Sequence, residues 1–243
     1  MPIIGYILII VGVIILILFG NFLSTMMAAR SQKILLKENT LEIFCLAGGQ
    51  VNYYAIRNKE SIILIDTGYG RNLKSQFEQL GLQIDQVSDI FLTHIDPDHS
   101  GGLRHFPDAN VYISPEERQM TDGSTLRFKF LKVYGKLDRP NMIDLTMNSQ
   151  LTIEGITILP IPAPGHTPGH TAYLVNDSYL FTGDTFRLRK SGKILPFMRM
   201  VNMDTETQLK SNEKLKEIIK EKKVKLIGTA HSGYLLRRGR ITE

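Results

Sequence analysis

Thr93-His94-Ile95-Asp96-Pro97-Asp98-His99-Ser100-Gly101-Gly102 places two imidazoles and two carboxylates within six residues, directly after the apolar run Ile90-Phe91-Leu92. A strand that ends in a tight turn throws neighbouring side chains into one small volume. Imidazole nitrogen with carboxylate oxygen is the donor mixture that zinc, iron or manganese accepts. The stretch reads as the floor of a metal site, or else as a polar loop in which Pro97 and the glycine pair make turns and the histidines bond to backbone. The surrounding chain has to separate the two.

Upstream, 40–56 alternates loosely around Gly48-Gly49, as two short strands joined at a turn would. The run 61–65 reads as a buried strand ending in Asp66-Thr67-Gly68-Tyr69-Gly70, and Leu73, Phe77 and Leu80 then recur at helical spacing with Gly81 as a stop. The decisive stretch repeats this plan: strand 87–92, the His/Asp turn, a short segment to Pro107, and strand 109–114. From 116 to 148 the pattern is mixed, with Phe128, Phe130, Leu131 and Tyr134 in a helix or lid.

Downstream, 151–161 reads as two strands about a turn at Glu154-Gly155, followed at once by Ala163-Pro164-Gly165-His166-Thr167-Pro168-Gly169-His170. Strands 172–175 and 179–182 flank a turn at Asn176-Asp177 and lead into Gly183-Asp184-Thr185. Thr205 with Gln208 three residues on has the form of a capping box, and Leu209, Leu215, Ile218 and Ile219 mark the buried side of the helix that follows. Strand 223–229 ends in Ala230-His231-Ser232-Gly233.

Of six histidines, four (His94, His99, His166 and His231) fall immediately after predicted strands, in glycine-containing turns. Asp184 occupies the same kind of place. If those strand ends lie along one edge of a sheet sandwich, their side chains converge on one spot, as ligands carried on loops over a rigid scaffold should.

Taken in order, Asp66-Thr67-Gly68, 93–102, 164–170, 182–185 and Ala230-His231 resemble the motifs of the metallo-β-lactamase-fold hydrolases over about residues 40–236. The resemblance implies an α+β domain, a four-layer αββα sandwich, with two metals at one edge. By it, His94 and His166 would hold the first metal, Asp98, His99 and His231 the second, and Asp184 would bridge them. Asp66 would brace the motif loop, and His170 would hold the turn that presents His166. Such a pair of divalent ions, zinc by the resemblance, makes water acidic and polarises a carbonyl or phosphoryl oxygen. Asp98 is the group placed to orient or relay the proton.

One position departs from the family's His-x-His-x-Asp-His pattern: Asp96 stands where the second histidine belongs. As a direct metal ligand it lowers the positive charge of the first site and shifts preference toward iron or manganese. Alternatively it binds through water and leaves one metal. A carboxylate here also resembles the diiron oxidoreductase branch of the fold. His105, Tyr69 and Tyr234 are read as structural, and Arg187, Arg189 and Lys190 as a basic loop that could equally meet an anionic substrate.

The chain's 243 residues, 43% hydrophobic, suffice for one large domain at 40–243. No charged side chain occurs in 1–29, and 3–19 is almost wholly Ile, Leu, Val and Gly, close to the roughly 17–25 residues that cross a bilayer as a helix. A transmembrane anchor at 1–29 and a basic juxtamembrane linker at 30–39 are expected. Arg30, Lys33 and Lys37 follow the apolar run, which by the positive-inside rule puts the domain in the cytoplasm of a single-pass protein. The single Cys45 forms no intrachain disulfide and, set among apolar residues, is not read as a nucleophile. The net charge of +5 suits an anionic membrane surface without a nucleic-acid partner.

Together these readings give a membrane-anchored, metal-dependent hydrolase acting on a small-molecule ester, thioester, lactone or phosphodiester. The rivals are an iron-dependent oxidoreductase of the same fold and a non-catalytic metal-binding or scaffold protein. A β-lactamase role does not suit a domain that faces inward.

Overall fold

Successive side chains in a strand point to opposite faces, and that alternation sorts the apolar residues of this chain into layers. The computed structural model describes residues 3–27, 33–48, 50–122, 124–127, 137, 139–189 and 191–237. Its first sheet runs in chain order through β1 (Lys33–Glu38), β2 (Leu41–Ala47), β3 (Asn52–Asn58), β4 (Ser61–Ile65), β5 (Val87–Phe91), β6 (Asn110–Ile113) and β7 (Met142–Asp144). The second begins with β8 (Leu151–Ile153), β9 (Ile156–Pro162), β10 (Thr171–Val175) and β11 (Tyr179–Phe181). A separate ribbon, β12 (Phe186–Leu188) with β13 (Ile194–Pro196), precedes its last strands, β14 (Leu226–Gly228) and β15 (Tyr234–Leu236). The helices are α1 (Ile3–Met27), α2 (Leu73–Gln79), α3 (Pro97–Ser100), α4 (Pro115–Arg118) and α5 (Thr205–Glu221).

Tyr54 and Ile56 of β3, Ile63 and Ile65 of β4, Tyr173 and Val175 of β10, and Phe181 of β11 pack together between the sheets. Their chain neighbours face outward. Tyr53, Ala55, Ile62 and Leu64 pack on Leu73 and Phe77 of α2, while Ala172, Leu174, Leu180 and Ile227 pack on Leu215 and Ile219 of α5. The result is the expected four-layer αββα sandwich.

Strand direction then places the functional turns. β4 and β5 are parallel, with Ile65 beside Phe91. β11 and β14 are parallel, with Phe181 beside Gly228. β9 and β11 both run antiparallel to β10, hence parallel to each other. The chain therefore leaves β4, β5, β9, β11 and β14 in register with Asp66, His94, His166, Asp184 and His231, and the side-chain distances below bring these turns together at one edge.

Three expectations change. The stretch 30–39, expected as a linker, contributes β1, which pairs antiparallel with β2 and buries Leu35. Its three apolar residues between lysines, Ile34, Leu35 and Leu36, carry too little periodicity to mark a strand. The capping box on Thr205 is replaced by Asp204, whose carboxylate accepts from Thr207 N (3.0 Å) and Thr207 Oγ1 (2.7 Å). Asp is as good a cap as Thr, and Gln208 is thereby released to the site described below. Thirdly, the expected transmembrane helix is not established: among the described residues no helix is long and apolar enough to cross a membrane, although the backbone of α1 runs for 25 residues. The helix or lid expected around Phe128, Phe130, Leu131 and Tyr134 lies outside the described residues, as does Lys190.

Candidate metal centre

His94, His99, His166, His231 and Asp184 are all buried, and with Asp96 and Asp98 at the rim they enclose one small volume. Each of the four histidines has its Nδ1 engaged by a different group. His99 Nδ1 donates to Asp66 Oδ2 at 2.8 Å, and His231 Nδ1 donates to the carbonyl of Gln50 at 2.9 Å. His94 Nδ1 is 3.0 Å from Thr93 Oγ1, which itself donates to Asp66 Oδ2 at 2.8 Å, so the imidazole is the donor of the pair. His166 Nδ1 lies 3.3 Å from Asn202 Oδ1. Holding Nδ1 in this way fixes the tautomer and aims Nε2 at the common volume, the arrangement metal-binding histidines use.

Two sets of donors result. His94, His166 and Asp184 form one group able to hold a cation, and Asp98, His99 and His231 form another. Tetrahedral ligands at about 2.0–2.1 Å from a zinc-sized ion stand roughly 3.3–3.4 Å from one another. In the first group Asp184 Oδ2 is 3.3 Å from His166 Nε2, and Asp96 Oδ2 is 3.4 Å from His166 Nε2 and 3.5 Å from His94 Nε2. In the second, His231 Nε2 is 3.2 Å from Asp98 Oδ2 and 3.3 Å from Asp184 Oδ1, while His99 Nε2 is 3.6 Å from Asp184 Oδ1 and 3.8 Å from Asp98 Oδ2. Asp184 thus turns one oxygen to each group. His94 Nε2, His99 Nε2 and Asp184 Oδ1 are buried with no hydrogen-bond partner, an arrangement costly to leave unsatisfied. The donor set fits a pair of divalent ions.

The electrostatics agree. Burial opposes charge on Asp184, but His231, His99 and His166 hold its carboxyl well below the ordinary carboxylate range. Burial likewise opposes charge on His99, yet Asp66, Asp98 and Asp184 push it up to about 9, and Asp184 and Asp98 raise His231 well above the ordinary imidazole value. Burial and the neighbouring His99 lower His94. The carboxylates around His99 and His231 thus favour positive charge at the centre, which is what a cation supplies.

The supporting residues explain the local sequence. Asp66 sits in the left-handed region at φ 61° and spends both oxygens on the motif loop, accepting from Thr93 N (2.8 Å), Thr93 Oγ1 and His99 Nδ1. His170 accepts from the backbone N of Asp184 at 3.1 Å, so its ring holds the turn that presents Asp184 rather than the turn of His166. Burial, with His94 and His166 nearby, keeps that ring well below the ordinary imidazole value and hence neutral, as an acceptor must be. Gly183, at φ 50°, has no room for a side chain: a Cβ would lie 2.8 Å from His170 Nε2 and from Thr93 Cβ. His105 donates to the carbonyl of Gly70 and takes no part. Of the remaining residues read as structural or basic, Tyr69 is half-buried and Arg187 donates to the carbonyl of Pro196.

Several participants had no signal in the sequence. Glu117, on α4, accepts from Ile95 N (3.2 Å) and Gly169 N (3.1 Å) and so clamps the two loops that carry His94 and His166; burial raises it to about 7. Gln208 donates to the carbonyl of Asp184 at 3.0 Å and accepts from Asn202, linking α5 to the site. Phe197 walls the centre, its ring 5.4 Å from His166 and 5.5 Å from His231. Arg127 is 3% exposed and donates from Nε to Asp96 Oδ1 (3.1 Å) and Oδ2 (3.2 Å). It comes from the least patterned part of the chain.

Known proteins share this arrangement of sequence and fold. The sequence model of the Metallo-beta-lactamase superfamily matches residues 46–231. The uncharacterized protein YobT of Bacillus subtilis (strain 168) is 30% identical over 201 residues, covering 76% of this chain and 84% of YobT. A hydroxyacylglutathione hydrolase of Albidiferax ferrireducens is 28% identical over 165 residues, covering 63% of this chain and 56% of that protein. Apart from YobT, the chain spans about half the length of the curated relatives it matches. Among solved structures, AidC, a dizinc quorum-quenching lactonase in complex with a product, has a TM-score of 0.64 at 19% identity, over 89% of this chain and all of that one. At that identity the likeness concerns the fold.

Proposed function

The chain belongs to the metallo-β-lactamase superfamily, and from that premise we propose that it is a hydrolase with a two-metal centre acting on a small-molecule ester, thioester, lactone or phosphodiester. The observation that carries the reading is Asp184: one buried carboxylate turns Oδ2 to His166 at 3.3 Å and Oδ1 to His231 at 3.3 Å, between two sets of open imidazole nitrogens. Two divalent ions held there supply acidified water and a Lewis acid for the target oxygen.

The chain's own residues do the rest. His94, Asp96 and His166 would hold one ion and Asp98, His99 and His231 the other, with Asp184 available to both. Asp98 lies at the rim, its side chain 18% exposed, where a carboxylate can both ligate and pass a proton to the leaving group. Burial opposes its charge, but His99 and His231 keep it below the ordinary carboxylate range, so it is ionised and able to accept a proton at neutral pH. Phe197 excludes water from the histidine pair it covers and offers apolar surface to an acyl or alkyl substituent. The name of one relative, a hydroxyacylglutathione hydrolase, supports a thioester substrate.

A membrane tether is part of the proposal. It rests on the sequence alone, the uncharged apolar run of 3–27. Ile10, Leu16 and Ile17 on α1 are more than half exposed. The basic residues after it favour a domain on the cytoplasmic side.

Metal analysis of protein purified without added metal, beside a panel of ester, thioester, lactone and phosphodiester substrates, tests the activity. Two equivalents of zinc with turnover of one class is the expected result. Bound iron with reduction of oxygen or nitric oxide would transfer the chain to redox chemistry, and absence of both metal and turnover would make it a scaffold. For the tether, protease added outside intact cells should leave the domain uncut, and deletion of 1–29 should release it into the soluble fraction.

A further inference from the structure

Asp96 brings a negative charge to the His94/His166 half of the centre, yet that half also holds a cation of the chain itself. The Arg127 side chain is 1% exposed and its Nε donates to both oxygens of Asp96. Its Nη2 donates to the carbonyl of Val201 and lies 3.0 Å from His166 Nε2, the nitrogen aimed at the metal volume. The same Nη2 lies 3.4 Å from His166 Nδ1, so the guanidinium rests against the ring and brings its charge beside the nitrogen that faces the metal volume. A guanidinium is always charged, and one buried this far requires a paired anion. In the other half, among the described residues, Asp98 is paired only with His231 and His99, and no Lys or Arg reaches it.

We propose that Arg127 is a positioning residue that makes the two halves of the metal centre unequal: it cancels the charge of Asp96, so that the pair acts as a net-neutral ligand, and it sets a fixed positive charge beside His166. The half built from His94, Asp96 and His166 then binds a divalent cation more weakly than the half built from Asp98, His99 and His231. The inference rests on the two-metal reading above. It also reverses what Asp96 implies alone, since the extra carboxylate no longer leaves its half more negative than a site of neutral ligands.

The test is titration of the metal-stripped full chain with Zn2+, followed by calorimetry and by metal content after dialysis, in wild type, Arg127→Gln, Arg127→Lys, Asp96→His and the double variant Asp96→His/Arg127→Gln. Wild type is expected to bind two ions in two resolved steps. Arg127→Gln should tighten the weaker step on the order of 10- to 100-fold, the range found when partners of metal ligands are altered, and leave the tighter step unchanged. Arg127→Lys, which retains the charge but not the guanidinium's several donors, should leave the weaker step closer to wild type than Arg127→Gln does, and the tighter step unchanged. Asp96→His alone should weaken the weaker step or abolish it, because an uncompensated guanidinium then faces a neutral ligand, and the double variant should restore it. An unchanged tighter step shows that each variant is folded, and a purely structural Arg127 would not produce the rescue. Tighter zinc binding by Asp96→His alone, or no rescue in the double variant, overturns the proposal while leaving the two-metal reading intact. Failure of the wild type to bind zinc at all would overturn the two-metal reading first and this proposal with it.

Discussion

Asp66→Asn isolates the brace under the second group of ligands. Asparagine has the same shape and tolerates the left-handed backbone almost as well as aspartate, so the φ of 61° at this position is not at issue. The amide oxygen can still accept from Thr93 N, now at 2.8 Å, and Thr93 Oγ1 can rotate from donor to acceptor. His99 Nδ1–H cannot adapt: at 2.8 Å it would face the new NH2, donor against donor. The ring escapes only by moving its proton to Nε2, which occupies the nitrogen that faces Asp98 and Asp184. A hydrogen bond to a charged group contributes about 1.5–3 kcal/mol, so the metal-stripped variant should lose about that much stability, or roughly 3–12 °C in Tm for a chain of this size. Zinc affinity of the Asp98/His99/His231 group should fall about 10- to 100-fold. Urea unfolding and zinc titration read the two quantities separately. If stability falls while both binding steps keep their affinity, the tautomer argument is refuted and Asp66 is only a structural brace.

Glu117→Gln should alter how stability depends on pH. The folded carboxyl titrates at about 7 against an ordinary 4.5, so the folded state holds its proton more tightly. The stabilisation is complete below pH 4.5 and is lost as the pH rises to about 7, a change on the order of 3 kcal/mol that the amide cannot show; parallel curves for wild type and variant between pH 4.5 and 8 would count against it. Gly183→Ala should destabilise by about 2–4 kcal/mol, combining a left-handed alanine with a Cβ 2.8 Å from Thr93 and His170, and thermal unfolding measures it. Asp184→Ala removes the shared ligand, so metal content should fall below two per chain and turnover by at least about 100-fold, with circular dichroism unchanged; retained turnover would remove Asp184 from the centre.

The features that were legible in the sequence share a physical cause. A turn at the end of a buried strand must combine an apolar run, a glycine and polar side chains, and that combination is local, so His94, His99, His166, Asp184 and His231 announced themselves one turn at a time. Two-residue alternation in 53–56, 62–65 and 172–175 likewise encodes two buried faces within a few residues. The expected outlines failed where the determinant was distant. β1 is a strand because β2 offers it an edge, not because Lys33–Glu38 has a pattern of its own. Gln208 looked like part of a cap because Thr205 stands three residues before it, whereas its side chain serves Asp184, 24 residues away.

Arg127 is the extreme of that class. It has no periodicity, no turn chemistry and no neighbouring ligand, and it acquires meaning only when folding sets it against Asp96, 31 residues earlier in the chain. Asp96 could be recognised as a departure in kind, a carboxylate among imidazoles, but its electrostatic consequence could not be signed from sequence, because the sign depends on what else is buried with it. An unpaired Asp96 would favour a harder, more reducing-chemistry metal; an Asp96 neutralised by a guanidinium behaves toward a cation as an imidazole does. A substitution at a metal ligand is therefore interpretable only together with the nearest buried opposite charge, and here the two residues form one ligand in the electrostatic sense.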